Sequence, residues 1–93
     1  MALLSGPDDL ANLRRELPDW EVGDREMERT FGFDDFPAAI GFVAAVAILA
    51  EKANHHPDID VRYNKVTLRL STHSEGGLTT KDASLAASID QIE

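Results

Sequence analysis

Residues 51–82, EKANHHPDIDVRYNKVTLRLSTHSEGGLTTKD, decide how this chain is read. The segment opens at the end of a helical pattern, breaks at Pro57 and then alternates. Ile59, Val61 and Tyr63 alternate with Asp60 and Arg62; Val66, Leu68 and Leu70 alternate with Lys65, Thr67 and Arg69. A period of two predicts two strands, each with an apolar and a polar face, and Asn64 sits where a turn residue belongs. Ser74-Glu75-Gly76-Gly77 reads as a loop. Thr79 then caps a final helix whose buried stripe is Leu85, Ala86, Ile89 and Ile92.

Upstream, Asp34-Asp35-Phe36-Pro37 is a helix start, with an acidic cap and a proline in the first turn. The helix runs to about Asn54. Its apolar residues fall on two faces, Ile40, Val43, Ala47 and Ala50 on one and Phe42, Val46 and Leu49 on the other. So wide an apolar surface needs two partners. The sheet is one; the other is a second copy of the chain, or else the first or third helix, and an oligomer is expected. Before it, Trp20 to Val22 and Arg25 to Phe31 form a hairpin around Gly23-Asp24, with Met27 and Phe31 inward and Glu26, Glu28 and Thr30 outward. The chain begins with a helix that Ser5 could cap and Pro18 ends, its stripe made by Leu10, Leu13 and Leu17. The order α-β-β-α-β-β-α predicts one α+β domain over residues 1–93, a four-stranded antiparallel sheet with three helices on one face.

Composition narrows the function. The 93 residues carry a net charge of −8, which phosphate backbones and anionic membrane surfaces repel, so no nucleic-acid or membrane partner is expected. The absence of Cys removes thiolate nucleophiles, disulfides and Cys-type zinc sites. MALLSGPDDL lacks the basic and apolar regions of a signal peptide, and Ala38 to Ala50 is too short to cross a bilayer. A soluble, cytoplasmic protein is expected.

All three histidines lie in the opening stretch. His55 and His56 end the long helix, with Glu51 one turn before His55 on the same helical face and placed to hydrogen-bond it, and Pro57 forces the chain out. Taken alone, the pair reads equally as solvated residues stabilising a helix terminus. His73 adds to that. Hairpin return brings it toward the place where His56 leaves the helix, and counting by twos from Val66 puts it out of register with the core face. Three imidazoles on one cleft make an acid–base device. Asp82 is three residues past Thr79, the position that completes a capping box. Gly76-Gly77 needs no role beyond a tight turn. Three histidines with Asp58 or Asp82 could hold zinc or iron, but adjacent histidines point apart and no H-x-x-x-H spacing exists, so no metal is expected. Ser71, Ser74 and Asp82 could supply a Ser–His–Asp set, yet no nucleophile-elbow sequence accompanies them.

The run Glu51-x3-His55-His56-Pro57-x5-Tyr63-x9-His73-x8-Asp82 resembles the signature of the pterin-4a-carbinolamine dehydratase family. The likeness extends through Trp20, Phe31-x-Phe33-x-Asp35-Phe36, Phe42 and Gly77-Leu78-Thr79, over nearly the whole chain. The resemblance implies a four-stranded α+β fold, dimers joined at sheet edges and tetramers packed through the central helix. It implies elimination of water from 4a-hydroxytetrahydropterin to give quinonoid dihydropterin, recycling the cofactor of aromatic amino-acid hydroxylases without a metal or cofactor of its own. It implies His55, His56, His73 and Asp82 as catalytic residues, and Asn54, His55, His56, Ser71, Thr72 and His73 as the pterin-binding set. Some members serve instead as dimerisation partners of a transcription factor. Ile59 stands where animal members carry an aromatic residue and cannot stack as a ring would.

Overall fold

In the computed structural model, which describes residues 3–92, helix α1 covers Pro7–Glu16, strands β1 and β2 cover Glu21–Val22 and Met27–Gly32, and helix α2 covers Phe36–Ala53. Strands β3 and β4 follow at Asp58–Arg62 and Lys65–Leu70, then a short 3-10 turn at His73–Glu75 and helix α3 at Thr80–Ile92. The expected order and class hold. The strands form one antiparallel sheet in the order β1-β2-β4-β3, so the two hairpins join through β2 and β4, with Met27 opposite Leu70 and Phe31 opposite Val66.

Alternation sets the layers. Val66, Leu68 and Leu70 are fully buried on one face of β4, with Met27 and Phe31 beside them on β2. Phe42 and Val46 of α2, Leu85, Ala86 and Ile89 of α3, and Leu10 and Leu13 of α1 pack into the same core, so all three helices cover one face. Phe31 and Phe42 pack with ring centres 4.7 Å apart at a 44° tilt, a separation within the favourable range for aromatic pairs. The outer face is a polar ladder in which the Thr30 and Thr67 hydroxyls lie 2.8 Å apart. Ile92 is largely exposed and ends the α3 stripe one turn early. Near it, Asp90 accepts from Trp20 Nε1 at 2.8 Å and Arg29 Nη1 at 2.7 Å, tying the end of α3 to β2.

Several local expectations are corrected. Gly6, not Ser5, precedes α1, and its N–H donates to Asp9 Oδ2 at 3.4 Å. Arg25 and Glu26 stay outside β2 because Gly23 N donates to Glu26 O at 2.8 Å, closing a longer turn. Tyr63 is a turn residue with φ of 52° rather than the last residue of β3. Asn64 beside it bonds across to Phe33, its side-chain amide donating to the Phe33 carbonyl at 2.8 Å.

Helix α2 begins as expected, with Asp35 Oδ1 accepting from Ala38 N at 2.9 Å. At 18 residues it is long and apolar enough to cross a bilayer, so the expectation that the segment is too short is corrected. One side of it packs into the core. The buried face is Ala39, Phe42, Val46 and Ala50, with Val43 and Leu49 at its border. That regroups the two expected faces: Ala50 joins the sheet side, while Ile40, Ala47 and Ile48 face outward, with Ile48 70% exposed. Helix α3 packs alongside α2 but leaves this outer stripe uncovered.

Candidate active site

The site is built where α2 ends. Asn54 adopts the left-handed conformation, φ 50° and ψ 45°, which asparagine tolerates better than most residues. Its N–H donates to Glu51 O at 3.1 Å and His55 N donates to Ala50 O at 3.0 Å. This Schellman closure satisfies the last carbonyls and swings the chain out of the helical path before Pro57 is reached. Glu51 and His55 therefore do not share a helical face, and the bond expected between them is absent. Glu51 Oε1 meets His56 Nε2 at 2.8 Å instead, and His55 turns inward to Asp82.

The two adjacent imidazoles occupy opposite environments. His56 is 61% exposed, and an ion pair so well solvated is worth at most about 1 kcal/mol. His55 is 11% exposed and its Nε2 lies 2.5 Å from Oδ1 of Asp82, whose side chain is fully buried. Asp82 Oδ2 accepts from Thr72 Oγ1 at 2.7 Å and from Thr79 N at 2.9 Å. The second of these is half of the expected capping box, with Thr79 in the cap position and Asp82 on the first turn of α3. Thr79 Oγ1 lies 2.8 Å from Thr72 Oγ1 and accepts from Lys81 N at 3.3 Å. Thr72 spends its one hydroxyl proton on Asp82, so Thr79 donates to Thr72. A carboxylate with two donors on one oxygen has only acceptor capacity left on the other, so His55 carries its proton on Nε2 and gives that bond. No buried side-chain nitrogen or oxygen among the described residues lacks a partner.

His73 opens the turn after β4 and is exposed. The turn is clamped at its base, where Thr72 N donates to Gly77 O at 2.8 Å, and closed by Gly76 at φ 76°. That left-handed conformation costs a residue with a Cβ about 1–2 kcal/mol. At Gly77 a Cβ would come within 3.2 Å of the Leu3 side chain.

A cleft of about 360 Å³ results, lined by Asn54, His55, His56, Ser71, Thr72, His73, Ser74 and Lys81. Every residue of the expected pterin-binding set is on its wall. Asp82 is not; it stands behind His55 and reaches the cleft through it. The hydroxyl protons of Ser71 and Thr72 are already given, Ser71 Oγ to Arg25 O at 2.7 Å and Thr72 to Asp82, so Ser71 offers a ligand an acceptor oxygen. Ser74, read from the sequence as a loop residue and a candidate nucleophile, lines the cleft instead, and Lys81 is a lining residue that the sequence reading missed. Lys81 left a signal, since a cation in the first turn of a helix opposes the dipole and wants another reason to be there. Among the described residues no three His, Asp or Glu side chains gather into a set able to hold a metal ion.

The family model for pterin 4 alpha carbinolamine dehydratase matches residues 4–92. The chain belongs to this family. Within it, the chain is 56% identical over 84 residues to a protein of Chloroflexus aurantiacus whose provisional name is pterin-4-alpha-carbinolamine dehydratase, covering 90% of each chain. A protein of Chloroflexus aggregans with the same provisional name is 54% identical over 93 residues, covering 99% of this chain and 98% of the other. Among solved structures, the transcriptional coactivator/pterin dehydratase from Brucella melitensis superposes with a TM-score of 0.88 at 37% identity, over 94% of this chain and 95% of that one. The dehydratase family thus accounts for the fold, and the cleft at the end of α2 is the candidate active site here.

Proposed function

We propose that this chain is a carbon–oxygen lyase that eliminates water from 4a-hydroxytetrahydropterin to give quinonoid dihydropterin, recycling the cofactor of aromatic amino-acid hydroxylases in the cytoplasm. One arrangement carries the reading: three imidazoles line a single cleft, and the least exposed of them is held by a buried carboxylate through a 2.5 Å contact.

The reaction moves two protons. The C4a–O bond breaks as the leaving oxygen takes up a proton and departs as water. The N5 lone pair forms the new C4a–N5 double bond, and the proton on N5 is then removed. Imidazole suits both transfers because its ordinary titration range spans neutral pH, and positioned acid–base groups of this kind contribute about 10²–10⁴-fold. His56 and His73, the two exposed rings, flank the leaving hydroxyl. His55 faces the ring from the floor of the cleft, its orientation fixed by Asp82. Asp82 is a positioning residue in this scheme, since it touches His55 and not the cleft. Asn54 and the Ser71–Thr72 backbone read the polar ring edge, and no metal or bound cofactor takes part. Synthetic 4a-carbinolamine, followed by its absorbance as it decays, tests the proposal directly. The protein is expected to accelerate loss well above the buffer rate, and an unchanged rate refutes the enzyme.

We also propose that the chain works as a homodimer or homotetramer without nucleic-acid or membrane partners. The outward stripe of Phe36, Ile40 and Ile48 on α2 supports packing of helices between copies, and the free edges of β1 and β3 support pairing of sheets. The same stripe supports a second reading, a protein-binding dimerisation role without catalysis. The carbinolamine assay separates the two.

A further inference from the structure

Two buried threonines have hydroxyls with no part in the scheme above. Thr79 and Asp82 are fully buried and Thr72 is 7% exposed. Thr72 lies just before the turn that carries His73, and Thr79 just after it. Their hydroxyls form a one-way chain. Thr79 gives its proton to Thr72 over 2.8 Å, and Thr72 gives its own to Asp82 Oδ2 over 2.7 Å. Thr79 N donates to the same oxygen at 2.9 Å, so Asp82 holds two donors before His55 is counted. The other ring nitrogen of His55, Nδ1, has no hydrogen-bond partner among the described residues.

A buried carboxylate stays ionised only if its charge is met locally. Neutral donors can disperse that charge, or the neighbouring ring can take up a proton and form an ion pair. Two donors on Oδ2 favour the first outcome, because hydrogen bonds to the charged form stabilise it and weaken its pull on a further proton. Burial of His55 acts in the same sense, since desolvation disfavours imidazolium. So does the ammonium of Lys81 on the same cleft. The 2.5 Å contact with Asp82 pulls the other way, and the donors on Oδ2 decide between the two. The remaining titratable groups nearby are His56, which is bonded to Glu51, and His73 with Glu75 in the turn; none of them bonds to His55 or Asp82. Asp58 of β3 borders His73 in an adjoining cleft, and Lys52 of α2 lines the groove between α2 and α3. We infer that the Thr79–Thr72 hydroxyl chain is a positioning device that keeps Asp82 anionic beside a neutral His55, whose Nδ1 lone pair is thereby left able to accept a proton. Thr72 is its decisive member, because it alone touches both Thr79 and the carboxylate through its hydroxyl. The catalytic consequence rests on the dehydratase reading, whereas the protonation state does not.

Thr72→Val keeps the shape of the side chain and removes the donor, and Thr72→Ser keeps the donor. Nitrogen-15 spectra of the imidazoles and turnover of 4a-carbinolamine, both near neutral pH and again in mildly alkaline buffer, compare them with the wild type. Wild type and Thr72→Ser are expected to show one protonated and one bare nitrogen on His55 near neutral pH, and Thr72→Val two protonated nitrogens. Turnover by Thr72→Val should fall roughly tenfold, the yield of one charge-assisted hydrogen bond, and chiefly in kcat. Mildly alkaline buffer removes the extra proton and should restore most of that rate, which a purely structural loss would not allow. Thr72→Ser should stay within about twofold of the wild type. If Thr72→Val does not fold, Thr72→Cys, whose thiol is a weak donor, makes the same comparison. An imidazolium at His55 in the wild type, an unchanged His55 in the Val and Cys variants, or a Ser variant as impaired as the Val variant overturns the inference. A wild-type protein that does not dehydrate the carbinolamine overturns the dehydratase reading and with it the catalytic part of this inference, and the spectra still decide the protonation state.

Discussion

Replacing Asp82 by Asn should change the tautomer of a neighbouring ring while leaving the fold in place. The carboxylate accepts two donors on Oδ2, from Thr72 and Thr79, and one on Oδ1, from His55. An amide in the same position has one oxygen and one NH₂. Two donors converge on the Oδ2 position, so the amide oxygen must sit there, and the NH₂ then faces Nε2 of His55. That nitrogen cannot remain protonated against a donor; the proton moves to Nδ1 and Nε2 becomes the acceptor. The heavy-atom contacts survive, but three charge-assisted bonds become neutral ones. The loss, roughly 1 kcal/mol for each bond, is partly offset because a charge is no longer buried. The expected net cost is about 1–2 kcal/mol, a fall in Tm of roughly 4–16 °C for a domain of this size. Nitrogen-15 spectra of the imidazoles should report Nε2–H for His55 in the wild type and Nδ1–H in the variant, with kcat reduced at least about tenfold. The same tautomer in both proteins would refute the reasoning, whatever the melting temperature. Asp82→Ala, which leaves the Thr79 amide and His55 without a partner, should melt lower than the Asn variant.

The remaining expectations are simpler. His56→Ala removes an exposed ring and a weak ion pair, so stability should hold within about 1 kcal/mol while carbinolamine turnover falls about 10²-fold or more; a wild-type rate would remove His56 from the proposed chemistry. Ile48→Asp, at a position 70% exposed in the isolated chain, should leave the circular dichroism spectrum unchanged but lower the mass measured by light scattering; an unchanged mass would mean that α2 is not the contact between copies. Gly76→Ala should cost about 1–2 kcal/mol by chemical denaturation because of the left-handed φ of 76°, and should lower activity through displacement of His73. Full stability in that variant would show that the turn relaxes without cost.

What was legible in the sequence follows from which signals are local. Strand β4 announced itself because Val66, Leu68 and Leu70 sit at a strict period of two, and all three are fully buried. The Asp35 cap and the Thr79 cap were legible because each is a side chain serving a backbone within three residues. The Glu51–His55 bond was misread because it assumed a helix continuing to His55, whereas one left-handed residue at Asn54 ends it. Tyr63 was misread for a related reason: alternation carries no mark of where a strand yields to its turn. The faces of α2 were only half legible, since an apolar residue looks the same whether it meets the sheet or faces outward. The partnership of His55 with Asp82 joins residues 27 apart in the chain. The sequence held both residues as candidates, but only tertiary packing selects which imidazole Asp82 holds.

The left-handed residue at Asn54 also changes how the His-His pair should be understood. Two identical side chains, consecutive in the chain, are assigned to unlike tasks by a single backbone torsion. One is drawn inside against a carboxylate and the other is left in water. The division of labour therefore lies in the register of the main chain. Inserting one residue between Ala50 and Asn54 would keep every functional side chain yet shift both imidazoles by one position against Asp82, so the length of this segment matters as well as the identity of its histidines.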